Sequence, residues 1–288
     1  MVGMDMNAGT NPAPGGTESL IASNRASWDA RAGVHEQSAF YDLEGLLRGE
    51  DHLAAFEYAE LGDLTGRDLV HLQCHLGTDT VCLARAGARA VGLDFSAESV
   101  ARARRIAAEA GVDVEYVHAD VYDAVSALGG RAFDVVHTGK GALNWLPDLD
   151  AWARVAAELL RPGGLLHVVE LHPLFTAAAD EQPELASRLV LDWPAVATGE
   201  PNRFEAGQTY TDGPPLPGHT VTYEWSFGIG DVVRAVLGAG LRLVSLTEHE
   251  ITPWARWDGM RPEGRWWRLP EGAPRVPLLF SLRAVRDA

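Results

Sequence analysis

Short apolar segments alternate with helical segments through the middle of the chain, and this alternation restricts the possible folds most strongly. Apolar segments end at residues 74, 93, 118, 136 and 169, and capped or glycine-terminated helical stretches separate most of them. Five strands in this arrangement indicate a mostly parallel sheet covered by helices on both faces. With two later strands, at 242–247 and 277–285, the sequence predicts a doubly wound α/β fold with seven strands.

The rest of the chain is expected to surround this sheet as one domain, 20–288. Residues 1–19 are rich in Gly, Pro and Asn, which predicts a disordered tail. The expected segments are a helical cap at 20–62, the core at 63–170, a lid at 171–226, and a C-terminal region at 227–288 that holds a helix, strands and a loop rich in Trp and Arg. The lid is assigned because 171–226 lacks periodicity and is too long for an ordinary connection.

Charge and composition exclude several classes of protein. A net charge of −16 argues against broad binding to nucleic acid and against an anionic membrane surface. No apolar run approaches the roughly 20 residues that span a bilayer, and the N-terminus lacks the pattern of a signal peptide. The two cysteines, Cys74 and Cys82, do not suggest a disulfide framework, so we expect a reducing cytoplasm.

Several polar residues follow the predicted strands. Asp94 follows the second strand, Asp120 the third, and Glu170 the fifth, while 73–78 and 137–140 follow the first and fourth. Ligands of open α/β sheets bind beyond the carboxyl ends of the strands. Asp94 is placed to accept hydrogen bonds from two ribose hydroxyls, and Asp120 to accept one from an adenine amine. These are groups that S-adenosylmethionine presents.

The motifs around these strand ends resemble a known family. The relevant runs are 72–80 (Leu-Gln-Cys-His-Leu-Gly-Thr-Asp-Thr), 92–96, 133–136, 160–164, 170–173, 210–212, 222–225 and 277–282. Together they resemble a bacterial, small-molecule subgroup of class I S-adenosylmethionine-dependent methyltransferases in which a Leu-Gln-Cys-His turn replaces the glycine-rich one. Relative to the common turn, Gln73 and His75 stand where glycines are usual, His71 stands where an acid is usual, and Gly77 is kept.

The resemblance implies a Rossmann-like fold, S-adenosylmethionine as cofactor and methyl transfer to a small molecule. The predicted cofactor-binding residues are Gln73, Cys74, His75, Gly77, Thr78, Asp94, Phe95, Asp120, Val121 and Thr138. NAD is disfavoured because an intact Gly-x-Gly-x-x-Gly is absent. A metal at Cys74 and His75 is disfavoured because consecutive strand residues point to opposite faces.

The predicted catalytic residues are Glu170, as the leading base, and His172, as the second. A purely structural alternative for Glu170 is a pairing with backbone amides or an arginine. Near the C-terminus, Trp254, Trp257, Trp266 and Trp267 are interleaved with Arg256, Arg261, Arg265 and Arg268. The predicted substrate-contacting residues are Tyr41, Arg203, Tyr210, Trp225, Trp254 and Arg256.

Three functions are consistent with these residues. The first is C-methylation of an isoprenoid diphosphate, because aromatic faces suit a developing cation, arginines suit a diphosphate and Glu170 would remove a proton. Some relatives in the subgroup resemble geranyl diphosphate methyltransferases, and Mg²⁺ could then bridge the diphosphate. The second is O- or N-methylation of a secondary metabolite, by proximity or with His172 as base. The third is a cofactor-binding protein without catalysis. The structural alternative is that these tryptophans and arginines only pack in the core and form ion pairs at the surface.

Overall fold

A seven-stranded sheet forms the centre of the protein, in a computed structural model that describes residues 16–288. Its strands run in the order β3–β2–β1–β4–β5–β11–β8. In chain order the strands of the described residues are β1 Asp68–Leu72, β2 Arg89–Asp94, β3 Glu115–His118, β4 Phe133–Thr138, β5 Leu160–Leu171, β6 Asn202–Glu205, β7 Val221–Glu224, β8 Leu241–His249, β9 Arg261–Glu263, β10 Trp266–Arg268 and β11 Leu279–Arg286.

The five N-terminal strands of the sheet pair in parallel, and β11 pairs antiparallel with both β5 and β8. Parallel neighbours need a crossover, and helices supply it between successive strands. This arrangement confirms the predicted doubly wound, mostly parallel seven-stranded sheet. It has the layout of a class I methyltransferase fold.

The helices begin and end at local capping residues. They are α1 Thr17–Glu36, α2 Leu43–Arg48, α3 Ala55–Leu61, α4 Thr78–Arg85, α5 Ala97–Glu109, α6 Ala124–Ala127, α7 Leu149–Leu159, α8 Pro173–Thr176 and α9 Ile229–Gly238. The Ser96 hydroxyl accepts a hydrogen bond from the Ser99 amide at the start of α5, and the Asp148 carboxylate accepts one from the Ala151 amide at the start of α7. Such caps satisfy amide donors that the first helical turn leaves unpaired.

The sheet is buried on both faces, because alternate residues of each strand enter different cores. On β1, Val70 and Leu72 join a cluster with α7 and α9, whereas Leu69 joins one with α4 and α5. On β4, Val136 and Val135 divide in the same way. The carboxyl edge of the parallel strands is consequently the part of the sheet that is open to a ligand.

The cap and the lid are joined above that edge. Asn24 of α1 donates to the Tyr223 carbonyl over 2.7 Å and accepts from the Tyr223 amide over 2.8 Å, so the helix holds the β6–β7 hairpin of the lid. A third apolar cluster, which includes Phe175, Trp257 and Met260, packs the Trp/Arg-rich loop against the start of the lid.

Some boundaries differ from the sequence expectation. Helix α1 begins at Thr17, inside the segment 1–19 that was expected to be a tail, while residues 1–15 of that segment lie outside the described residues. The Arg-Pro-Gly-Gly run at 161–164 ends α7 as expected but lies within β5. None of the described helices combines the length and the apolar character that a membrane crossing requires.

Candidate active site

A cavity of about 720 Å³, counted with its opening to solvent, lies at the carboxyl edge of the parallel strands. Asp94 and Asp120 line it, together with Gln73 and His75 from the bend after β1. Cap residues such as Trp28 and lid residues such as Tyr210 close it from above. Six of the ten predicted cofactor-binding residues therefore line one cavity: Gln73, His75, Asp94, Phe95, Asp120 and Val121.

The bend after β1 has a left-handed backbone at two residues other than glycine and at one glycine. Gln73 and His75 have positive φ angles of 57° and 49°, and Gly77 has one of 70°. The left-handed region costs a residue with a Cβ about 1–2 kcal/mol. At Gly77 a side chain is also excluded by space, since a Cβ there would overlap the Tyr116 ring.

Asp94 is the most buried acid of this cavity, with 5% of its surface exposed. Its carboxylate accepts hydrogen bonds from the His75 amide over 2.8 Å and from the Ser96 amide over 2.9 Å. These bonds fix the carboxylate at the end of β2 and tie it to the bend. Burial raises the pKa of Asp94 to about 6, against the opposing effect of the two amides.

Asp120 lies at the rim of the cavity and is less buried. Its carboxylate accepts a hydrogen bond from the Tyr122 amide over 3.1 Å and lies 3.5 Å from the Arg25 guanidinium. Phe95 and Val121 supply apolar surface beside it. A flat base with a polar edge suits such a slot, because apolar faces meet its rings and a carboxylate accepts from its amine.

One residue that lines the cavity, Gln73, carries an unpaired polar atom. The Gln73 side chain donates to the Ala142 carbonyl over 2.9 Å, but its Oε1 atom is buried and has no hydrogen-bond partner among residues 16–288. Buried polar atoms are normally satisfied. A ligand that donates a hydrogen bond to Gln73 would satisfy this one.

Four other predicted cofactor-binding residues do not line the cavity. They are Cys74, Gly77, Thr78 and Thr138. All four are buried behind the bend or at the end of β4, and burial raises the pKa of the Cys74 thiol well above its usual range. Direct contact of these four residues with the cofactor stays a prediction.

Glu170 does not line this cavity either, and its carboxylate is fully engaged. Oε1 accepts from the Gly141 amide over 2.5 Å and from the Leu171 amide over 2.6 Å. Oε2 accepts from the Ala142 and Leu143 amides, each over 2.8 Å. Burial raises the pKa of Glu170 to about 7 although these four amides lower it. The structural alternative therefore describes Glu170 better than the role of catalytic base.

The His172 ring is also engaged in hydrogen bonds. Its Nδ1 atom accepts a hydrogen bond from the Leu174 amide over 3.1 Å at the start of α8, and its Nε2 atom lies 3.0 Å from the Glu248 carboxylate. Both ring nitrogens are occupied outside the main cavity, so the predicted role as a base is not supported.

Two of the six predicted substrate-contacting residues line the main cavity. The hydroxyls of Tyr41 and Tyr210 lie 2.6 Å apart. Arg203 pairs with Glu205 over 2.7 Å, and Arg256 bonds the Ala178 carbonyl and Asp180. Trp254 packs against Tyr210, with ring centroids 5.7 Å apart, behind the cavity wall.

Trp225, the sixth of these residues, lines a second, smaller cavity of about 470 Å³. Glu170 and Glu224 also face it. The loop that follows β4 separates the two cavities, because Ala142 lines the first and Asn144 the second.

The sequence reasoning did not single out several cavity residues as ligand contacts. Trp28 from α1, Trp145 after β4, and Lys140 line the cavity. Lys140 is paired with Glu57 over 2.9 Å and with Asp79 over 3.1 Å. The position of Lys140 at the end of β4 was a usable indication, whereas nothing local connects Trp28 with a strand end more than forty residues away. In the described part of the chain, no group of three or more His, Cys, Asp or Glu side chains could hold a metal ion.

Comparison with known sequences finds matches to the core of the chain. Residues 70–164 match the model of a family described as a methyltransferase domain. A ubiquinone biosynthesis O-methyltransferase of Sodalis glossinidius is 32% identical over 162 residues, which cover 55% of this chain and 62% of that protein. One from Escherichia coli is 30% identical, over 51% of this chain and 63% of its own length. The matched part thus spans less than two thirds of these curated relatives.

Comparison with solved structures extends the likeness to the whole fold. The CcbJ methyltransferase of Streptomyces caelestis superposes with a TM-score of 0.57 at 17% identity, covering 91% of this chain and 98% of that one. The structure of DhpI in complex with SAH gives a TM-score of 0.55 at 18% identity, covering 94% and 99%. Residues 70–164 therefore resemble a methyltransferase domain, and the described chain has the fold of class I S-adenosylmethionine-dependent methyltransferases.

Proposed function

We propose that the chain is an S-adenosylmethionine-dependent methyltransferase that acts on a small-molecule acceptor. The strongest support is the position of Asp94, a buried carboxylate at the end of β2 in the same cavity as Asp120 and the bend after β1. A carboxylate there can accept hydrogen bonds from two vicinal hydroxyls at once. The match of residues 70–164 to a methyltransferase domain supports the same activity.

Different residues of the cavity would bind different parts of the cofactor. Asp94 would hold the ribose, Asp120 the adenine amine, and the free Gln73 Oε1 a donor at the methionine end. When bound, the cofactor supplies an electrophilic methyl group on a sulfonium. Aromatic side chains beside the remaining space, among them Trp28, Tyr41 and Trp145, exclude water and present ring faces that suit a cation.

The acceptor atom is proposed to be an oxygen or a nitrogen, aligned by proximity. Among residues 16–288, every ionisable side chain of the cavity apart from the two proposed cofactor carboxylates has a hydrogen-bond or ion-pair partner. Both ring nitrogens of His75 are bonded, to His35 over 2.8 Å and to Ser99 over 2.9 Å. Lys140 is paired with two carboxylates, and Tyr41 with Tyr210. Alignment of the reacting atoms can by itself supply a large part of the rate enhancement.

C-methylation of an isoprenoid diphosphate loses two of the three observations that favoured it. Glu170 has no free lone pair aimed at the main cavity. The arginines that were expected to bind the diphosphate are engaged elsewhere, since Arg203 pairs with Glu205, Arg256 with Asp180, Arg265 with Asp42 and Arg268 with Glu263. The curated relatives are named as O-methyltransferases.

Calorimetric titration with S-adenosylhomocysteine tests the cofactor part of the proposal. Wild-type protein should bind it, and Asp94→Asn should bind about 10- to 100-fold more weakly, because hydrogen bonds to a charged group contribute about 1.5–3 kcal/mol. Asp287→Asn, at an exposed ion pair with Arg242, is the matched control and should bind like wild type. The assignment would be refuted if wild-type protein does not bind S-adenosylhomocysteine, or if Asp94→Asn binds it as tightly as wild type does.

Incubation with cofactor carrying a labelled methyl group tests the reaction. The panel would contain phenols, amines and prenyl diphosphates, with products read by mass. We expect label on an oxygen or nitrogen. Label on a prenyl carbon would restore the isoprenoid hypothesis, and tight cofactor binding without any labelled product would favour the non-catalytic one.

A further inference from the structure

Glu224, the last residue of β7, lines the smaller cavity with a carboxylate that is only partly bonded. Its Oε2 atom accepts a hydrogen bond from the Asn144 side-chain amide over 2.8 Å. Its Oε1 atom has no hydrogen-bond or ion-pair partner in the described part of the chain. Arg31 and Arg256 attract the carboxylate but form no ion pair with it, and Arg256 pairs with Asp180 over 3.1 Å. One carboxylate oxygen is therefore available to a ligand.

The other acids around the two cavities are more fully compensated. Glu170, which lines the same cavity, accepts hydrogen bonds from four backbone amides. Asp94 accepts from two amides, and Asp120 accepts from one and lies 3.5 Å from Arg25. Burial raises the pKa of Glu224, although nearby arginines and the bond from Asn144 oppose this effect. A cation bound at the free oxygen would compensate the charge.

A second acceptor in the same cavity is also unpaired. Asn144 lines the cavity, and its Oδ1 atom is buried without a hydrogen-bond partner among residues 16–288. Because the nitrogen of this side chain donates to Glu224, the oxygen is left as an acceptor. The Asn202 amide, also in the wall, is already directed at the Ser226 hydroxyl over 3.0 Å. The unpaired atoms therefore suit a ligand group that donates hydrogen bonds.

The walls beside these acceptors are aromatic. Trp193, Phe204, Trp225 and Phe227 line the cavity, and the Trp193 and Phe204 rings meet edge to face with centroids 5.1 Å apart. Aromatic rings attract organic cations and also pack against an apolar body. A bare metal ion suits the cavity less well, because no group of three or more His, Cys, Asp or Glu side chains in the described ranges could hold one.

We propose that the smaller cavity binds the ammonium group of an organic amine, with Glu224 and Asn144 as its hydrogen-bond acceptors. An ammonium has three donors, so it can serve Glu224 Oε1 and Asn144 Oδ1 together while its carbon body contacts the aromatic walls. The net charge of −16 attracts such a ligand from solution. This site goes beyond the proposed function.

Two kinds of molecule carry such a group. One is the methyl acceptor, which would then extend from the cofactor to the smaller cavity past the loop that follows β4. The other is a separate amine that binds beside the reaction. Only the assignment to the acceptor rests on the proposed function.

A series of ligands that differ in charge tests the proposal on wild-type protein. Phenethylamine, 2-phenylethanol and 3-phenylpropanoate share a ring and a short chain but are positive, neutral and negative near pH 7. Each is titrated by calorimetry, with and without saturating S-adenosylhomocysteine. Phenethylamine should bind about 10-fold or more tightly than the other two, because a charge-assisted hydrogen bond is stronger than a neutral one. Equal affinities, or no binding of phenethylamine at millimolar concentrations, overturn the proposal.

Variants of Glu224 locate the binding site. Glu224→Gln should bind phenethylamine about 10- to 100-fold more weakly with the affinity for 2-phenylethanol unchanged, because only the charge is removed. Glu224→Asp should keep part of the affinity, since it retains a carboxylate on a shorter side chain. Glu205→Gln removes an exposed carboxylate of β6 that pairs with Arg203, and as the matched control it should bind phenethylamine like wild type.

Thermal unfolding without ligand separates binding from a purely structural role. If Glu224 only balances the charges of Arg31 and Arg256, Glu224→Gln should melt at a lower temperature and bind phenethylamine as wild type does. Unchanged affinity in this variant overturns the proposal, whatever its melting temperature. If Glu224→Gln does not fold, the series of charges on wild-type protein decides.

Cofactor with a labelled methyl group identifies the source of the amine. Labelled product from phenethylamine or tyramine, with a KM that rises in Glu224→Asp, assigns the site to the acceptor. Binding of both amines without labelled product assigns it to a separate amine. Wild-type protein that binds phenethylamine but not S-adenosylhomocysteine would refute the proposed function and leave this site in place, and the opposite result would refute the site alone.

Discussion

At the scale of single residues, the bend after β1 adopts a left-handed backbone at residues other than glycine. Gln73 and His75 both have positive φ, a conformation that glycine adopts without strain. Gln73 uses its side chain to hold the Ala142 carbonyl, and the His75 ring contacts the cap. The strain is thus accompanied by contacts that glycine could not make.

Two variants at position 73 measure that strain. Gln73→Ala and Gln73→Gly both lose the bond to Ala142, but only alanine keeps a Cβ at a positive φ. We expect Gln73→Gly to be more stable than Gln73→Ala by about 1 kcal/mol. Urea unfolding of both variants checks this. Equal stability, or a more stable alanine variant, would show that the left-handed backbone is not retained in solution.

The burial of Asp94 predicts a pH dependence of cofactor binding. Its pKa of about 6 in the free protein means that the carboxylate gains a proton as the pH falls below 6. A protonated Asp94 cannot accept from both ribose hydroxyls, so affinity should fall towards tenfold per pH unit below that point. Titrations with S-adenosylhomocysteine between pH 4.5 and 8 measure it. Asp94→Asn should lack this component, and a wild-type profile parallel to that of Asp94→Asn would contradict the assignment.

At the scale of elements, the segment after β4 depends on one carboxylate from β5. Glu170 accepts from three consecutive amides at residues 141–143, and two of those residues line the main cavity. The element that carries Glu170 therefore positions the floor of the cavity without touching the ligand space itself.

Glu170→Gln separates this role from that of a base. The new amide group would leave two backbone donors without an acceptor, so we expect a loss of about 2–3 kcal/mol in unfolding free energy and weaker cofactor binding. Glu158→Gln, at an exposed position of α7, controls for the change of charge. Normal stability and cofactor affinity with abolished turnover would instead identify Glu170 as the base.

The elements of the core could be predicted from sequence, and most of the site could not. Strands β1, β2 and β4 end where apolar runs meet Gln73, Asp94 and Thr138, because periodicity and strand ends are local properties. The partners of Glu170 and Arg256 are not local. The amides bonded to Glu170 belong to residues about 30 positions away, and Arg256 binds a segment about 80 positions away.

At the scale of the whole molecule, cap, lid and core meet at His35. Its Nδ1 atom lies 2.8 Å from His75 of the bend, and its Nε2 atom lies 2.6 Å from the Thr209 hydroxyl of the lid. Burial lowers the pKa of His35 well below its usual range and that of His75 to about 3, so both rings are neutral near pH 7. This junction links the cap, the bend and residue 209 through two hydrogen bonds.

His35→Phe removes the junction while keeping a ring of similar size. It leaves His75 and Thr209 without their partner, so amide hydrogens of residues 202–224 should exchange faster and cofactor affinity should fall. His219→Asn, at an exposed position of the lid with φ of 54°, serves as the control. Unchanged exchange in the lid of His35→Phe would show that the three parts are not coupled there.

A crystal structure with S-adenosylhomocysteine tests the central claim most directly. We predict that both ribose hydroxyls donate to the Asp94 carboxylate, that the adenine amine faces Asp120, and that the sulfur points towards Tyr41 and Tyr210. An adenosyl group bound elsewhere, or a cavity that stays empty at saturating ligand, would contradict the assignment of this site.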